Sequence, residues 1–225
     1  MTSHPLDRPI WNALATGWSA RAHGDARARR LDPEYGPFGA AADDGPQAQA
    51  ALAALAPEAG ELWLVEAGPI VPPPGVQVAR EAILVQMIAS VIEGEGGTEA
   101  TVLTEADAAE MRALAHLTKP GPFHPLTHRL GRFIGIRRDG RLIAMAGERM
   151  RMPGFAEVSG VCTHPDHRGQ GHAGGLMRLV ARRMLAQGET PFLHAYAANK
   201  GAIALYGSLG FRVRAKMHMV VVGAA

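Results

Sequence analysis

Hydrophobic periodicity divides the chain into a regular second part and a less regular first hundred residues. Between residues 171 and 187 the apolar side chains Ala173, Leu176, Met177, Val180, Ala181, Met184 and Leu185 recur at alternating steps of three and one. That spacing puts them on one face of a helix, with Arg178, Arg182 and Arg183 elsewhere on the wheel, and Gly188 supplies a stop. The stretch "GRFIGIRRDGRLIAMAGERMRM" (131–152) reads differently. It predicts two antiparallel strands joined by a tight turn at Asp139-Gly140. "FAEVSGVCT" (155–163) predicts a third strand, "PFLHAYA" (191–197) a fourth and "FRVRAKMHMVVV" (211–222) a last one. Between the last two, "NKGAIALYGSLG" (199–210) predicts a short helix capped by Asn199 and closed by Gly210. Upstream, Thr104 caps a helix over "EADAAEMRALAHLT" (105–118), whose acidic first turn suits the helix dipole. The order after residue 100 is helix, three strands, helix, strand, helix, strand.

The first hundred residues give weaker signals. "HGDARARRLDPEYGPFGAAADDGP" (23–46) mixes Gly, Pro, Asp and Arg without a period and predicts loop; its Arg27, Arg29 and Arg30 read as a solvated basic face. "QAQAALAALAP" predicts a helix stopped by Pro57, and "ELWLVEAG" (61–68) a strand. "VQVAREAILVQMIAS" (76–90) predicts a strand, a turn and a second strand. The glycine-rich "EGEGGTEA" (93–100) predicts a linker and a domain boundary near residue 100, giving regions 1–99 and 100–225.

Composition narrows the function classes. Hydrophobic residues are 47% of the 225, so a buried core is expected and wholesale disorder is not. The net charge of +2 is too small to point to nucleic acid. No apolar stretch has the length of a membrane span, and "MTSHPLDRPIW" lacks the pattern of a signal peptide. A single cysteine, Cys162, fits a reducing, cytoplasmic setting.

The chemistry concentrates in "HPDHRGQGHA" (164–173), between a predicted strand and a predicted helix. Backbone N–H groups at a helix start have no intrahelical partner, and glycines let the chain curl around an anion. Arg168, Gly169, Gly171 and Ala173 therefore suit a pyrophosphate, although a plain tight turn has the same composition. Gly169, Gly171 and Gly174 also spell G-x-G-x-x-G, but the motif follows three strands of hairpin character rather than a first strand. His164, His167 and His172 lack the cysteine cluster or H-E-x-x-H of a zinc site, so no metal is expected.

These residues carry a resemblance. "VCTHPDHRGQGHAGGLMRLVA" resembles motif A of the GNAT superfamily of acyl-CoA-dependent N-acyltransferases. Its pattern Arg/Gln-x-x-Gly-x-Gly/Ala is met by Arg168, Gly171 and Ala173. "NKGAIALYGSLGF" resembles the family's second signature, with Asn199, Ala202, Tyr206, Gly210 and Phe211 in register. The resemblance implies an α/β (α+β) fold, a mixed central sheet with helices on both faces. The N-terminal α/β region, some of whose strands resemble the closing strands of the same fold, would be an extension or a degenerate second half.

For function, the resemblance implies transfer of an acetyl group from acetyl-CoA to a primary amine in a ternary complex. The diphosphate would lie on Arg168, Gly169, Gln170, Gly171, His172, Ala173 and Gly174. The pantetheine arm would run along the backbone of Val161, Cys162 and Thr163, with Asn199 and Tyr206 beside it. Tyr206 would serve as acid near the sulfur and Glu157 as base, with Glu148 and water as competitors. Cys162 is not expected to act as a covalent nucleophile. The acceptor would be set in part by "LTKPGPFHPLTHRLG" (117–131), where Lys119, His124, His128 and Arg129 could attract a carboxylate. The alternative is a catalytically silent acyl-CoA sensor. Oligomeric state stays open, a homodimer included.

Overall fold

The computed structural model describes residues 4–95 and 98–224; Met1–Ser3 of the N-terminal stretch and Gly96-Gly97 of the glycine-rich one lie outside the described residues. The chain opens with α1 (Pro9–Ala15), then β1 (Ala22–Gly24), β2 (Ala28–Leu31) and β3 (Gly39–Ala41), α2 (Pro46–Ala54), β4 (Leu62–Glu66) and β5 (Val76–Ile88). It continues with β6 (Thr101–Val102), α3 (Ala108–Thr118), β7 (Phe133–Arg138), β8 (Arg141–Met152) and β9 (Phe155–Thr163). It closes with α4 (His172–Ala186), β10 (Thr190–Tyr196), α5 (Lys200–Ser208) and β11 (Arg212–Ala224).

One mixed sheet of eight strands, in the order β4-β11-β5-β10-β9-β8-β7-β6, organises the molecule. β9 and β10 are parallel and linked through α4; the remaining neighbours are antiparallel. Asp139 (φ 50°) and Gly140 (φ 77°) make the predicted turn between β7 and β8, with the two consecutive positive φ values of a type I′ hairpin. The predicted face of α4 is the buried one: Leu176, Met177, Val180, Ala181 and Met184 have no exposed surface and pack on Ala144, Ala146, Ala156 and Val158 of the sheet. Burying side chains of this size stabilises by roughly 1.5–3 kcal/mol for each of the larger ones. On the opposite face, Ile10 and Leu14 of α1 pack with Leu84, Met150, Phe192 and Met219, and α3 packs Met111 and Leu114 on Phe133 and Met145.

Two expectations are corrected. Residues 76–88 are one strand, not two, because Arg80 and Glu81, in the middle of the run, continue the ladder opposite Val221 and Val220. Their side chains are exposed, and Arg80 stacks 4.8 Å over the Trp63 ring, so no turn is needed to solvate them. The loop over 23–46 contains β1–β3, a small sheet whose strands of three or four residues are too short to display a period. Arg27 is exposed, whereas Arg29 donates to the Leu14 carbonyl (3.1 Å) and Arg30 to that of Leu55 (2.9 Å). Strands from both sides of residue 100 share the one sheet. β5 lies between β10 and β11, and Leu6 shares a core with Phe192 and Met217.

Candidate active site

The turn into α4 is built around two glycines. Gly169 (φ 75°) and Gly171 (φ 77°) sit in the left-handed region, where a side chain would be strained. A Cβ at either would meet no atom within 4 Å, so open space lies in front of them. Gly171 is the N-cap and offers no side-chain cap. The first helical amides, from His172, Ala173 and Gly174, therefore lack intrahelical acceptors, and the first helical bond runs from the Gly175 N–H to the Gly171 carbonyl at 3.0 Å. Three buried polar atoms beside this turn have no partner among the described residues: Thr163 Oγ1, His167 Nδ1 and His172 Nε2. Unpaired donors, a helix N-terminus and Arg168 at the mouth together make a fit for a diphosphate.

Beside the turn the sheet opens. β9 and β10 pair only over Phe155–Glu157 and Thr190–Phe192; beyond that point no ladder joins them. Gly160, at φ 61°, lies where the β8–β9 register shifts. The edge of Val161, Cys162 and Thr163 thus faces a gap rather than a strand. A single cavity of about 750 Å³ runs from the glycine turn through this gap. Tyr206 and Asn199 line it from the α5 side, and Arg149 and His194 line it farther in.

A buried polar network underlies that inner end. Arg149 donates to both Glu157 oxygens, Nε to Oε2 and Nη2 to Oε1, each at 2.8 Å. His194 Nδ1 lies 2.9 Å from Glu157 Oε1. The other ring nitrogen of His194 is 3.0 Å from Nε2 of Gln86, which also donates to the Leu6 carbonyl at 2.9 Å. Arg214 donates to Oε1 of Gln86 and also to Asp7. Because Arg214 claims the amide oxygen, the Gln86 nitrogen must be the donor to His194. The imidazole therefore accepts at Nε2 and carries its proton on Nδ1, toward Glu157. Burial by itself would raise the Glu157 pKa, but the Arg149 charge and the His194 and Arg149 hydrogen bonds reverse this and hold it at about 2.

A family model described as FR47-like protein matches residues 133–220. A GNAT-family protein from Novosphingobium aromaticivorans is 51% identical over 99% of this chain and 100% of its own, with a TM-score of 0.93. The chain belongs to the GNAT family. A GCN5-related N-acetyltransferase from Kribbella flavida shares the fold at 19% identity, with a TM-score of 0.65 over 99% of this chain and 96% of its own. No curated protein matches the sequence.

Within this GNAT fold the two motifs face one cavity: Val161–Thr163, Arg168, Gly169, Gly171–Gly174, Asn199 and Tyr206 all line it, while Gln170 is exposed on the turn without lining it. Asn199 also caps α5, accepting from the Ala202 N–H at 3.1 Å. Burial raises the Tyr206 pKa, which keeps its hydroxyl protonated. The Cys162 thiol is pushed by burial up to about 11, against weaker lowering by Thr118 and Met145, so it is not a ready thiolate. Arg149 and His194 take up both oxygens of Glu157, the expected base, which does not itself line the cavity. Glu148 lies between Arg183 (2.7 Å) and Arg151 (3.0 Å) and does not line the cavity. Of the charged loop residues, Lys119 lines the cavity, whereas His128 and Arg129 pair with Glu105, and His124 bonds the Pro33 carbonyl. Arg149, His194 and Gln86 escaped the sequence reading. Gln86 and His194 are isolated polar residues in apolar strands, and that out-of-place polarity is the available signal; Arg149 stands among Glu148 and Arg151 and gives none. Among the described residues no helix is long and apolar enough to cross a membrane.

Proposed function

We propose that the chain is an N-acetyltransferase that moves the acetyl group of acetyl-CoA to a primary amine by direct attack. The observation that carries the reading is the continuity of one cavity from the unpaired α4 amides, past the open edge of β9, to Tyr206. The diphosphate binds the amides from Gly169 to Gly174 and Arg168. The pantetheine arm pairs with the main chain of Val161–Thr163, which β10 leaves free. This aims the thioester at the gap, where the acceptor enters from the Arg149 end.

In the transfer step the amine nitrogen bonds the carbonyl carbon and the carbon–sulfur bond breaks. The departing sulfur takes the Tyr206 proton, and the phenolate recovers it from solvent. The nitrogen's proton leaves to water. Glu157 acts through its partners: a carboxylate held at about 2 by Arg149 and His194 is too weak a base to take that proton, but it fixes both side chains at the cavity wall. The single cysteine fits a reducing, cytoplasmic setting.

The test is release of free CoA thiol from acetyl-CoA across a panel of amines. Tyr206→Phe should lower kcat by about 100-fold with the KM for acetyl-CoA unchanged. Acetyl-CoA binding with no turnover on any amine would instead identify a silent sensor.

A further inference from the structure

The inner end of the cavity has its own chemistry, built largely by the first hundred residues. Phe38, Trp63, Val65 and Leu84 line it, together with Met150 and Met219. Trp63 is held in place on several sides. It meets Phe38 edge to face at 6.4 Å, Arg80 covers its ring at 4.8 Å, and its Nε1 donates to Glu61 at 2.7 Å. Phe38 carries the Arg149 guanidinium 4.8 Å over its ring. Since Glu157 occupies Nε and Nη2 of Arg149, the Nη1 group is left without a partner among the described residues. Lys119 lines the cavity as well and pairs with no carboxylate among the described residues. The lining contains no Asp or Glu.

Resting on the acyl-transfer reading, we infer that the acceptor is an apolar α-amino acid: a primary amine carrying a carboxylate and a hydrocarbon or aromatic side chain. A polyamine or a lysine-rich peptide would bring further ammonium groups into a cavity with cations and no acidic side chain in its wall, and leave them uncompensated. An amino acid brings its own anion. Its carboxylate meets the free edge of Arg149 and the Lys119 ammonium, and its side chain lies among Trp63, Phe38 and Leu84. This gives the N-terminal region a function: it supplies the acceptor wall.

The experiment measures thiol release at saturating acetyl-CoA with L-phenylalanine, L-leucine, L-alanine, phenylalaninamide and spermidine. Phenylalanine and leucine should exceed alanine and phenylalaninamide in kcat/KM by about tenfold or more, since each comparison removes one recognised group. Trp63→Ala should raise the KM for phenylalanine about tenfold and leave the KM for acetyl-CoA and for alanine in place; Trp63→Phe should restore it. A fold defect would instead lower the apparent kcat for both amino acids together. Turnover of spermidine or phenylalaninamide equal to or better than phenylalanine overturns the inference while leaving acyl transfer intact. Thiol release from none of the amines, with acetyl-CoA bound, removes both.

Discussion

Arg149 and Glu157 are joined by two parallel hydrogen bonds of 2.8 Å, with Glu157 almost fully buried and Arg149 reaching the cavity. The pair sits in the bulged part of the β8–β9 ladder, between the Glu148↔Val158 and Arg151↔Ala156 pairings. Its asymmetry in burial decides what happens when either member is removed.

Arg149→Met strands a carboxylate that water cannot reach, and should destabilise the fold by about 3–5 kcal/mol. Glu157→Gln leaves a guanidinium that still borders the cavity, and should cost less, about 1–3 kcal/mol. Urea unfolding of the two variants checks the order. Equal losses would mean that the buried carboxylate is not the vulnerable partner.

Acid should expose the same group. The folded pKa of Glu157 is about 2, against 4.5 for an ordinary glutamate. A depressed pKa contributes stability that is fully present above about pH 4.5 and disappears as pH falls toward 2. Integrated between those values this is roughly 3 kcal/mol. Exposed Asp25 and Glu105 are also held at about 2 by arginine partners, so the whole acid limb is not due to Glu157. The measurement is therefore a difference: the stability of Glu157→Gln should fall less steeply between pH 5 and about 2 than that of the parent. Parallel slopes would remove Glu157 from this role.

The cradle makes a prediction about binding. Arg168→Ala combined with Gly171→Glu places a carboxylate where the diphosphate should lie and forces a side chain into the left-handed region at φ 77°. The parent should be stabilised by CoA, with a rise of about 2.7 kcal/mol at a hundredfold excess over Kd, read as a shift in Tm. The double variant should show none. A retained shift would move the donor site elsewhere.

Legibility followed range. The α5 cap by Asn199, the turn at Asp139-Gly140 and the buried face of α4 each depend on residues within a few positions of one another, and all three stand where the local sequence predicts them. The short strands over 22–41 and the continuity of β5 were missed because their pairing partners, not their own periods, make them strands. The candidate site divided along the same line. The glycines of the α4 turn announce positive φ and free amides locally. Glu157 reads locally as an ordinary strand carboxylate, and nothing near it in sequence tells that His194, 37 residues on, and Arg149 take up its oxygens.

By itself the sequence determined the local devices: helix faces, caps, hairpin turn and the glycine-built turn into α4. Periodicity and φ preference are properties of short segments, so they can be read from composition and spacing. Tertiary structure alone decided that β5 sits between β10 and β11, that the first hundred residues wall the far end of the cavity, and that Arg149 and His194 take up the Glu157 carboxylate. Strand insertion and a carboxylate's ionisation depend on which distant groups burial brings alongside: Gln86 reaches Arg214 across 128 positions and His194 across 108.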